Sequence, residues 1–263
     1  MILRGAVASK TLAMETGITI ITPDADLPGT PGCAYVLHGM YGNHESWATY
    51  TMLPVYARRY NTVFIMPEVA RSFYADLRHG QKFFTYVADE LPALVEKTFN
   101  IASDRENTTV IGGSMGGNGA IRIALRRPER FGRCCAFASA ALFLRQYVES
   151  IGGAAGQRAA EETLGSQLVE DFRCILGDSF QVPPEFDIPA LAQSLAPAAA
   201  KPAFYSACGV DDIQFREENA AFAKLMQTLG YDFTHEELPG DHHWPFFDSA
   251  VRRGLEFFFG SGE

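Results

Sequence analysis

Short apolar runs rich in β-branched and aromatic residues alternate along this chain with longer segments whose apolar residues recur at helical spacing. The runs are GITIIT, CAYVLHG, TVFIMP, TTVIGG, CCAFASA, AFYSACG and DFTHEELP. Runs without polar interruptions are typical of strands that are buried on both faces of a parallel sheet. The segments between them, such as FFTYVADELPALVEKTF, predict amphipathic helices. The pattern therefore predicts an α/β fold with a mostly parallel central sheet and helices on both faces.

Two segments depart from this alternation. LAMETGITIITPDA, which contains GITIIT, is not succeeded by a helix and predicts a strand pair or an extended entry that pairs antiparallel at an edge of the sheet. Between CCAFASA and AFYSACG, residues 141–200 predict a small insertion or partial lid near the carboxyl edge of the sheet, where α/β folds hold their sites. Because no linker or repeat interrupts the chain, we expect a single domain over residues 1–263.

Composition and charge exclude several function classes. The chain has 263 residues and a net charge of -9, without the basic face that a nucleic-acid partner would require. No apolar run reaches membrane-spanning length, and the N-terminus lacks the apolar core of a secretory signal, so we expect a cytoplasmic protein with no membrane partner. The five cysteines match no metal-ligand spacing and predict buried free thiols. We expect no cofactor and no metal.

The stretch VIGGSMGGNGAIRIAL places Ser114 inside a G-x-S-x-G motif formed with Gly112 and Gly116. A strand-like run precedes the motif and a helical pattern follows it, which is the setting of a nucleophile elbow. Small neighbours let the chain turn sharply and leave the serine hydroxyl exposed. A phosphate-binding turn is the alternative, but neither G-x-G-x-x-G nor a Walker lysine accompanies the motif.

A serine hydroxyl needs a neighbouring base, and in this arrangement the chain order is serine, acid, histidine. After Ser114 the chain contains His235, His242 and His243. His235 falls inside a predicted strand, where a structural role is expected. His242 and His243 lie in the loop PGDHHWPFF before the last helix, and both remain candidates for the base.

The acid is expected after the preceding strand, where Asp211 and Asp212 follow AFYSACG. A carboxylate there would orient the imidazole and stabilise its protonated form. Helix capping explains one of the two aspartates equally well. We predict that Asp212 is the acid and that Asp211 is solvated or caps the helix.

An oxyanion hole in such a site takes one backbone N–H from the residue after the nucleophile and another from the loop after an early strand. These residues are Met115 and, in YVLHGMYGNHESW, Met40. His38 in the same loop is interpreted as a structural histidine that braces it.

Large aromatic side chains occur near these motifs and are candidates for substrate contacts. If they face the serine they wall a short acyl pocket, and core packing explains each of them equally well. The candidates are Tyr41, Trp47, Phe73, Tyr74 and Trp244.

Taken together, these motifs resemble the esterase D-like branch of the α/β-hydrolases, and most closely the intracellular tributyrin esterases of bacteria. The resemblance covers nearly the whole chain and rests on the blocks LAMETGITIITPDA, YVLHGMYGNHESW, MPEVARSFYADLRHG, ADELPALVEKTF, GGSMGGNGAIRIAL, CGVDDIQF and GDHHWPFFD. It implies an α/β-hydrolase fold, with the base of a G-x-H-x-W block on His242 and the acid of a C-G-x-x-D block on Asp212. It also implies the backbone of Met40 and Met115 as oxyanion donors.

Two departures accompany the resemblance. His243 stands where relatives often carry an acidic or polar residue, and SIGGAAGQRAAEETLGSQ matches no block and is expected to shape the acyl or alcohol pocket.

The resemblance implies a serine carboxylesterase that hydrolyses small-molecule esters with short acyl groups through an acyl-enzyme. An S-formylglutathione hydrolase-like thioesterase or a carbohydrate acetyl or feruloyl esterase is the enzymatic alternative, and a silent hydrolase-fold binding protein is the alternative from another class. Whether the chain forms a homo-oligomer stays open.

Overall fold

A computed structural model describes residues 1–24, 27, 29–101, 104–150, 158, 161–162 and 165–260. Its centre is an eight-stranded sheet in the order β1-β2-β4-β3-β5-β6-β7-β8. The strands are β1 Ile2–Ser9, β2 Met14–Ile21, β3 Gly32–Leu37, β4 Thr62–Pro67, β5 Thr108–Gly113, β6 Arg133–Phe137, β7 Ala203–Gly209 and β8 Phe233–Leu238. The pairs from β4 through β3, β5, β6 and β7 to β8 are all parallel. The mostly parallel sheet predicted from the apolar runs is thus confirmed.

The antiparallel strand lies inside the sheet, which corrects one prediction. GITIIT forms the second half of β2, which pairs antiparallel with β1 on one side and with β4 on the other. The edge is therefore β1, a strand that the apolar pattern did not reveal. Its first five residues are exposed, so it carries no continuous apolar signal.

Alternate residues of the central strands enter two separate cores. In β3, Tyr35 and Leu37 belong to one core, whereas Ala34 and Val36 belong to the other. Both faces of the strand are therefore covered, which explains why its sequence is apolar throughout rather than alternating.

Helices cover these two faces. They are α1 Ser46–Tyr50, α2 Leu53–Arg59, α3 Phe83–Thr85, α4 Leu91–Phe99, α5 Met115–Arg126, α6 Leu144–Ser150, α7 Ser166–Leu176, α8 Ile188–Leu195, α9 Arg216–Thr228 and α10 Trp244–Phe259, with a π-helical turn at Tyr86–Glu90 and a 3-10 turn at Pro184–Phe186. Buried residues of α4, α5, α8 and α9 belong to the first core, and those of α2 and α10 belong to the second. None of the helices in the described part of the chain has the length and apolar composition that crossing a membrane requires.

The segment between β6 and β7 contains α6, α7, the turn Pro184–Phe186 and α8. It corresponds to most of the predicted insertion at residues 141–200. Residues 151–157, 159–160 and 163–164 lie outside the described residues, and with them most of SIGGAAGQRAAEETLGSQ. A role of that stretch in shaping the pocket stays a prediction, as does the single domain over residues 1–263.

The cysteines are free thiols. Cys33, Cys134, Cys135 and Cys208 are buried, as predicted, and Cys174 is partly exposed. Burial raises the thiol pKa of Cys33 and Cys208 to about 12. Both thiols are therefore protonated at neutral pH and are poor nucleophiles.

Candidate active site

Ser114 occupies the sharp turn between β5 and α5, with φ 56° and ψ -121°. This backbone conformation is unusual for a residue with a side chain and is typical of strained functional positions. A Cβ on Gly112 would stand 2.1 Å from the carbonyl oxygen of Gly116, and one on Gly116 would stand 2.2 Å from the carbonyl oxygen of Leu37. The glycines are thus required because β5, the start of α5 and the end of β3 approach one another at backbone distance.

Asp212 and His242 form a hydrogen-bonded pair. The Nδ1 of His242 lies 2.7 Å from Oδ2 of Asp212, whose side chain is 1% exposed against 27% for the histidine. The other carboxylate oxygen, Oδ1, accepts the backbone N–H groups of Gln214 at 3.2 Å and Phe215 at 3.1 Å. The carboxylate is fixed on both oxygens, so it can hold the imidazole in one orientation with Nε2 as the remaining ring nitrogen.

Aromatic rings fix the imidazole of His242 on its other sides. Its ring lies 4.8 Å from that of Phe215 and 5.2 Å from that of Phe247, between centroids. His242 and Ser114 both line one large cleft. The arrangement places a hydroxyl and an oriented imidazole at the same opening.

The remaining candidates for the acid and the base lie elsewhere. His243 points outward with a side chain that is 75% exposed, and its Nδ1 lies 2.8 Å from Oδ1 of Asp241. Asp211 is exposed. The Nδ1 of His235 lies 2.6 Å from the hydroxyl of Ser206 in the neighbouring strand, and burial lowers the pKa of this histidine. The roles predicted for these three residues stay predictions.

The loop that carries Met40 approaches the nucleophile. A Cβ on Gly39, the residue before Met40, would be 3.6 Å from the Cβ of Ser114. Met40 lines the cleft, and Met115 begins α5 with a fully buried side chain. The two predicted oxyanion donors therefore belong to segments that flank the serine.

The buried side chain of His38 contacts the backbone of this loop. It is 1% exposed, its Nδ1 lies 2.8 Å from the carbonyl oxygen of Gly39, and its Nε2 lies 3.3 Å from the backbone nitrogen of Val69. Glu68 approaches the same Nε2 to 3.5 Å. Burial raises the pKa of Glu68, but contact with His38 and two backbone N–H groups outweighs burial and lowers it to about 2. The prediction of a structural histidine is consistent with these contacts.

Four of the five predicted substrate contacts line the cleft, namely Tyr41, Trp47, Phe73 and Trp244. Trp47 is 2% exposed and donates its Nε1 hydrogen to the carbonyl of Leu37 at 3.0 Å, so it is both core and cleft wall. Its ring lies 5.4 Å from that of Trp244 in an edge-to-face contact. Tyr41 lies at the cleft as well but is 94% exposed, which places it at the rim.

The position of Tyr74 corrects its prediction as a substrate contact. It is fully buried and does not line the cleft, whereas its neighbour Phe73 does. The hydroxyl of Tyr74 donates a hydrogen bond to the carbonyl oxygen of His38 at 3.0 Å. Tyr74 therefore supports the loop that carries Met40 instead of touching a substrate.

A polar clamp on the loop Ser139–Phe143 was missed by the sequence analysis. Asn118 donates its amide to the carbonyls of Ala140 at 3.0 Å and Ala141 at 3.1 Å. Asn219 accepts the N–H of Ser139 at 3.0 Å and donates to the carbonyl of the same residue at 2.9 Å. The clamp fixes a loop that forms one wall of the cleft.

Glu218 completes this clamp from α9. Its carboxylate accepts the backbone N–H of Phe143 at 3.1 Å, and the backbone of Ala141 and Leu142 also hydrogen-bonds to it. Burial raises the pKa of Glu218 although these hydrogen bonds lower it. The available sequence signal was a run of polar residues, Glu217 to Asn219, on a helix that follows the predicted acid.

The cleft has a volume of about 1610 Å³. Its lining includes loops that follow the parallel strands, and also Leu144 and Tyr147 of α6 and Leu168 and Phe172 of α7. Among the described lining residues the only carboxylates are Glu217 and Glu218, and there is no lysine or arginine.

Comparison with known proteins gives the family. The model of the Esterase family, whose description is Putative esterase, matches residues 9–166, more than half of the chain. An acetyl esterase of Caldicellulosiruptor saccharolyticus is 28% identical over 225 residues, which cover 85% of this chain and 81% of that protein.

Solved structures agree on the architecture. The fluorophosphonate-binding serine hydrolase F (FphF) of Staphylococcus aureus has a TM-score of 0.77 at 22% identity and covers 98% of each chain. The S-formylglutathione hydrolase FrmB of the same organism has a TM-score of 0.75 at 22% identity, again with 98% of each chain covered. This likeness confirms the predicted α/β-hydrolase fold. The chain therefore belongs to the Esterase family and is a carboxylic ester hydrolase of the esterase D-like kind.

Proposed function

We propose that the protein is a serine carboxylesterase whose triad is Ser114, His242 and Asp212. The Oγ of Ser114 attacks the carbonyl carbon of a small-molecule ester while Nε2 of His242 takes its proton. Asp212 orients the imidazole and stabilises the imidazolium. The N–H groups of Met40 and Met115 donate hydrogen bonds to the oxyanion.

Collapse of the tetrahedral intermediate releases the alcohol, which takes the proton from His242, and leaves an acyl ester on Ser114. Water then attacks this ester with His242 again as the base, and the acid leaves as product. No metal or cofactor takes part in these steps.

The observation that carries this proposal is the hydrogen bond of 2.7 Å between His242 and a carboxylate that is itself fixed on both oxygens. An imidazole that has such a carboxylate partner and lines the same cleft as Ser114 is the arrangement that activates a hydroxyl. The strained backbone of Ser114 adds independent support.

Labelling with a fluorophosphonate probe tests the nucleophile. We expect the folded protein to be labelled on Ser114, and the Ser114→Ala variant to remain unlabelled and to lose most turnover of p-nitrophenyl acetate. A residual rate above that of water is expected because the oxyanion donors remain. Absence of labelling in the folded protein would instead favour a silent binding protein.

We extend the proposal to short acyl groups, acetyl to butyryl. The support is the wall formed by Trp47 and Trp244, together with the acetyl esterase relative. A walled pocket accepts a longer chain only with strain, whereas an open apolar groove gains about 0.8 kcal/mol for each added methylene. Values of kcat/KM on p-nitrophenyl esters should peak between acetate and butyrate and fall by octanoate. A rise that continues to decanoate would contradict this part and leave the triad standing.

A further inference from the structure

A second cavity of about 460 Å³ is lined by the C-terminal half of α5, the half that is farther from the nucleophile along the helix. It shares no lining residue with the active-site cleft. Four of its lining side chains are cationic and two are carboxylates. The cations are Arg78, Lys82, Arg122 and Arg126, and the carboxylates are Asp76 and Glu185. In a chain whose net charge is -9, this local excess of positive charge is unexpected.

Arg122 lies at the buried end of this cavity and is fully buried. Its guanidinium donates to Oδ1 of Asn118 at 2.9 Å and to the carbonyl oxygen of Phe73. Both partners are uncharged, and among the described residues no carboxylate stands at ion-pairing distance from Arg122. Burial, followed by repulsion from Arg126, lowers the pKa of Arg122 to about 9. The guanidinium also lies 4.0 Å from the ring centroid of Phe186. The site thus contains a buried cation that is held by uncharged partners and an aromatic ring but is not paired with a carboxylate, which is a costly arrangement.

The other cations extend from this buried end to the surface. Arg126, one helical turn further along α5, is half-buried and stacks its guanidinium 3.7 Å from the ring centroid of Phe84. Lys82 is exposed and donates to the carbonyl oxygen of Leu77 at 2.9 Å. Neither forms an ion pair within the described part of the chain.

The carboxylates of the cavity do not neutralise these charges by contact. Asp76 accepts the backbone N–H of Thr85 at 3.0 Å and its hydroxyl at 2.7 Å, so both of its oxygens are engaged by uncharged donors. Asp76 and Glu185 attract Arg126 only from beyond ion-pairing distance.

We propose that this cavity is a binding site for a small oxyanion, the phosphoryl or carboxylate group of a metabolite. Arg126 and Lys82 contact the anion, and Arg122 supplies a fixed positive charge at the closed end. Guanidinium groups bind such oxyanions through paired N–H donors, and the bond is strengthened by charge and by partial burial. The site is separate from ester hydrolysis and does not depend on the proposed triad.

Titration calorimetry with inorganic phosphate and with acetate, at constant ionic strength maintained with chloride, tests this site on the complete protein. We expect saturable binding of one anion to the wild type, and binding about tenfold weaker in Arg126→Gln and in Lys82→Gln, because each variant removes one charge-assisted contact. Both side chains reach the solvent, so these variants avoid the folding defect that a change at buried Arg122 would cause.

Arg4→Gln is the matched control, since it removes one positive charge from β1 at a position that lines neither cavity. The control should bind as the wild type does. Saturation by phosphate alone assigns a phosphoryl ligand, and saturation by acetate alone assigns a carboxylate. Saturation by neither anion, or an equal loss in Arg4→Gln and Arg126→Gln, would overturn the proposal, whatever the result of the fluorophosphonate experiment.

Discussion

Two adjacent histidines in the loop before α10 have opposite surroundings. His242 contacts a buried carboxylate, whereas His243 contacts the exposed carboxylate of Asp241. We predict that His242→Ala lowers kcat by about three orders of magnitude or more, the scale of losing a triad base. His243→Ala should lower it far less, because its imidazole faces solvent. Steady-state kinetics on both purified, folded variants compares them, and the reverse ranking would move the base to His243.

Glu68 supplies a prediction on acid stability. Its pKa in the folded protein is about 2, against an ordinary value of 4.5, so its ionised form stabilises the fold. That stabilisation is complete when the pH is above the ordinary pKa of 4.5. It is lost as the pH falls from there towards the pKa of the folded protein, about 2. Glu68→Gln should therefore unfold at lower urea concentration than the wild type at neutral pH, and this difference should shrink below about pH 4.5.

Glu15→Gln is the control for this measurement, because Glu15 is exposed on β2. Its difference from the wild type should stay small and flat over the same range. A deficit of Glu68→Gln that stays constant down to about pH 3 would show that the glutamate acts through shape and not through charge.

Single residues differ in how far the sequence could predict them. The proposed triad of Ser114, Asp212 and His242 could be ordered because the chemistry demands a serine, an acid and a base, which here follow β5, β7 and β8. Tyr74 could not be placed, since an aromatic residue next to a site packs inward or outward according to backbone angles that the sequence does not show. Its φ of 56° turns it into the core beneath the Met40 loop.

At the scale of elements, the close approach of α5 to β3 depends on a glycine. A Cβ on Gly116 would meet the carbonyl oxygens of Leu37 at 2.2 Å and His38 at 2.8 Å, and neither backbone atom can rotate away. Gly116→Ala should therefore lower the free energy of unfolding by at least about 2 kcal/mol, the scale of overpacking in a core. Urea unfolding provides the measurement.

The matched control is Gly5→Ala on β1, where an added Cβ meets nothing within 4 Å. This variant should keep its stability or gain up to about 1 kcal/mol through the less flexible unfolded chain. Equal losses in both variants would mean that the packing of α5 on β3 is looser than the distances indicate.

A strand could be predicted from the sequence where its residues are buried, because burial requires apolar residues. The runs that became β3 to β7 are apolar because helices cover both of their faces, whereas β8, at the other edge of the sheet, has only Phe233 buried. β1 was not predicted because only two of its residues, Val7 and Ser9, are buried, so its sequence has no apolar run. The position of β2 inside the sheet follows from its pairing with β1, and could not be derived while β1 was unrecognised.

At the scale of the whole molecule, the charge of the cleft favours some substrates over others. The chain has a net charge of -9, and the described lining residues include the carboxylates Glu217 and Glu218 but no lysine or arginine. An anionic leaving group would be repelled both during approach and in the cleft. We predict a higher kcat/KM for the monoester of S-formylglutathione on its glycine carboxylate, which has no net charge, than for S-formylglutathione itself, whose net charge is -1.

The ratio between these two thioesters should decrease as salt is added, because salt screens the repulsion. It should also decrease in Glu217→Gln, where one exposed carboxylate at the cleft is neutralised. Preference for the anionic thioester at low salt would contradict the electrostatic argument and favour a glutathione-dependent function.

The residues that line the cleft come from parts of the chain that differ in how many substitutions they tolerate. The loops after β3, β5 and β7 hold Ser114, Met40 and Asp212 through backbone approaches that admit almost no substitution. Other lining residues come from α6 and α7, which belong to a single connection between β6 and β7 and supply no member of the proposed triad. In directed evolution, the residues of α6 and α7 that line the cleft can therefore be varied to alter substrate range without touching the proposed catalytic residues, whereas the other buried residues of the connection have to be kept because they pack in the first core.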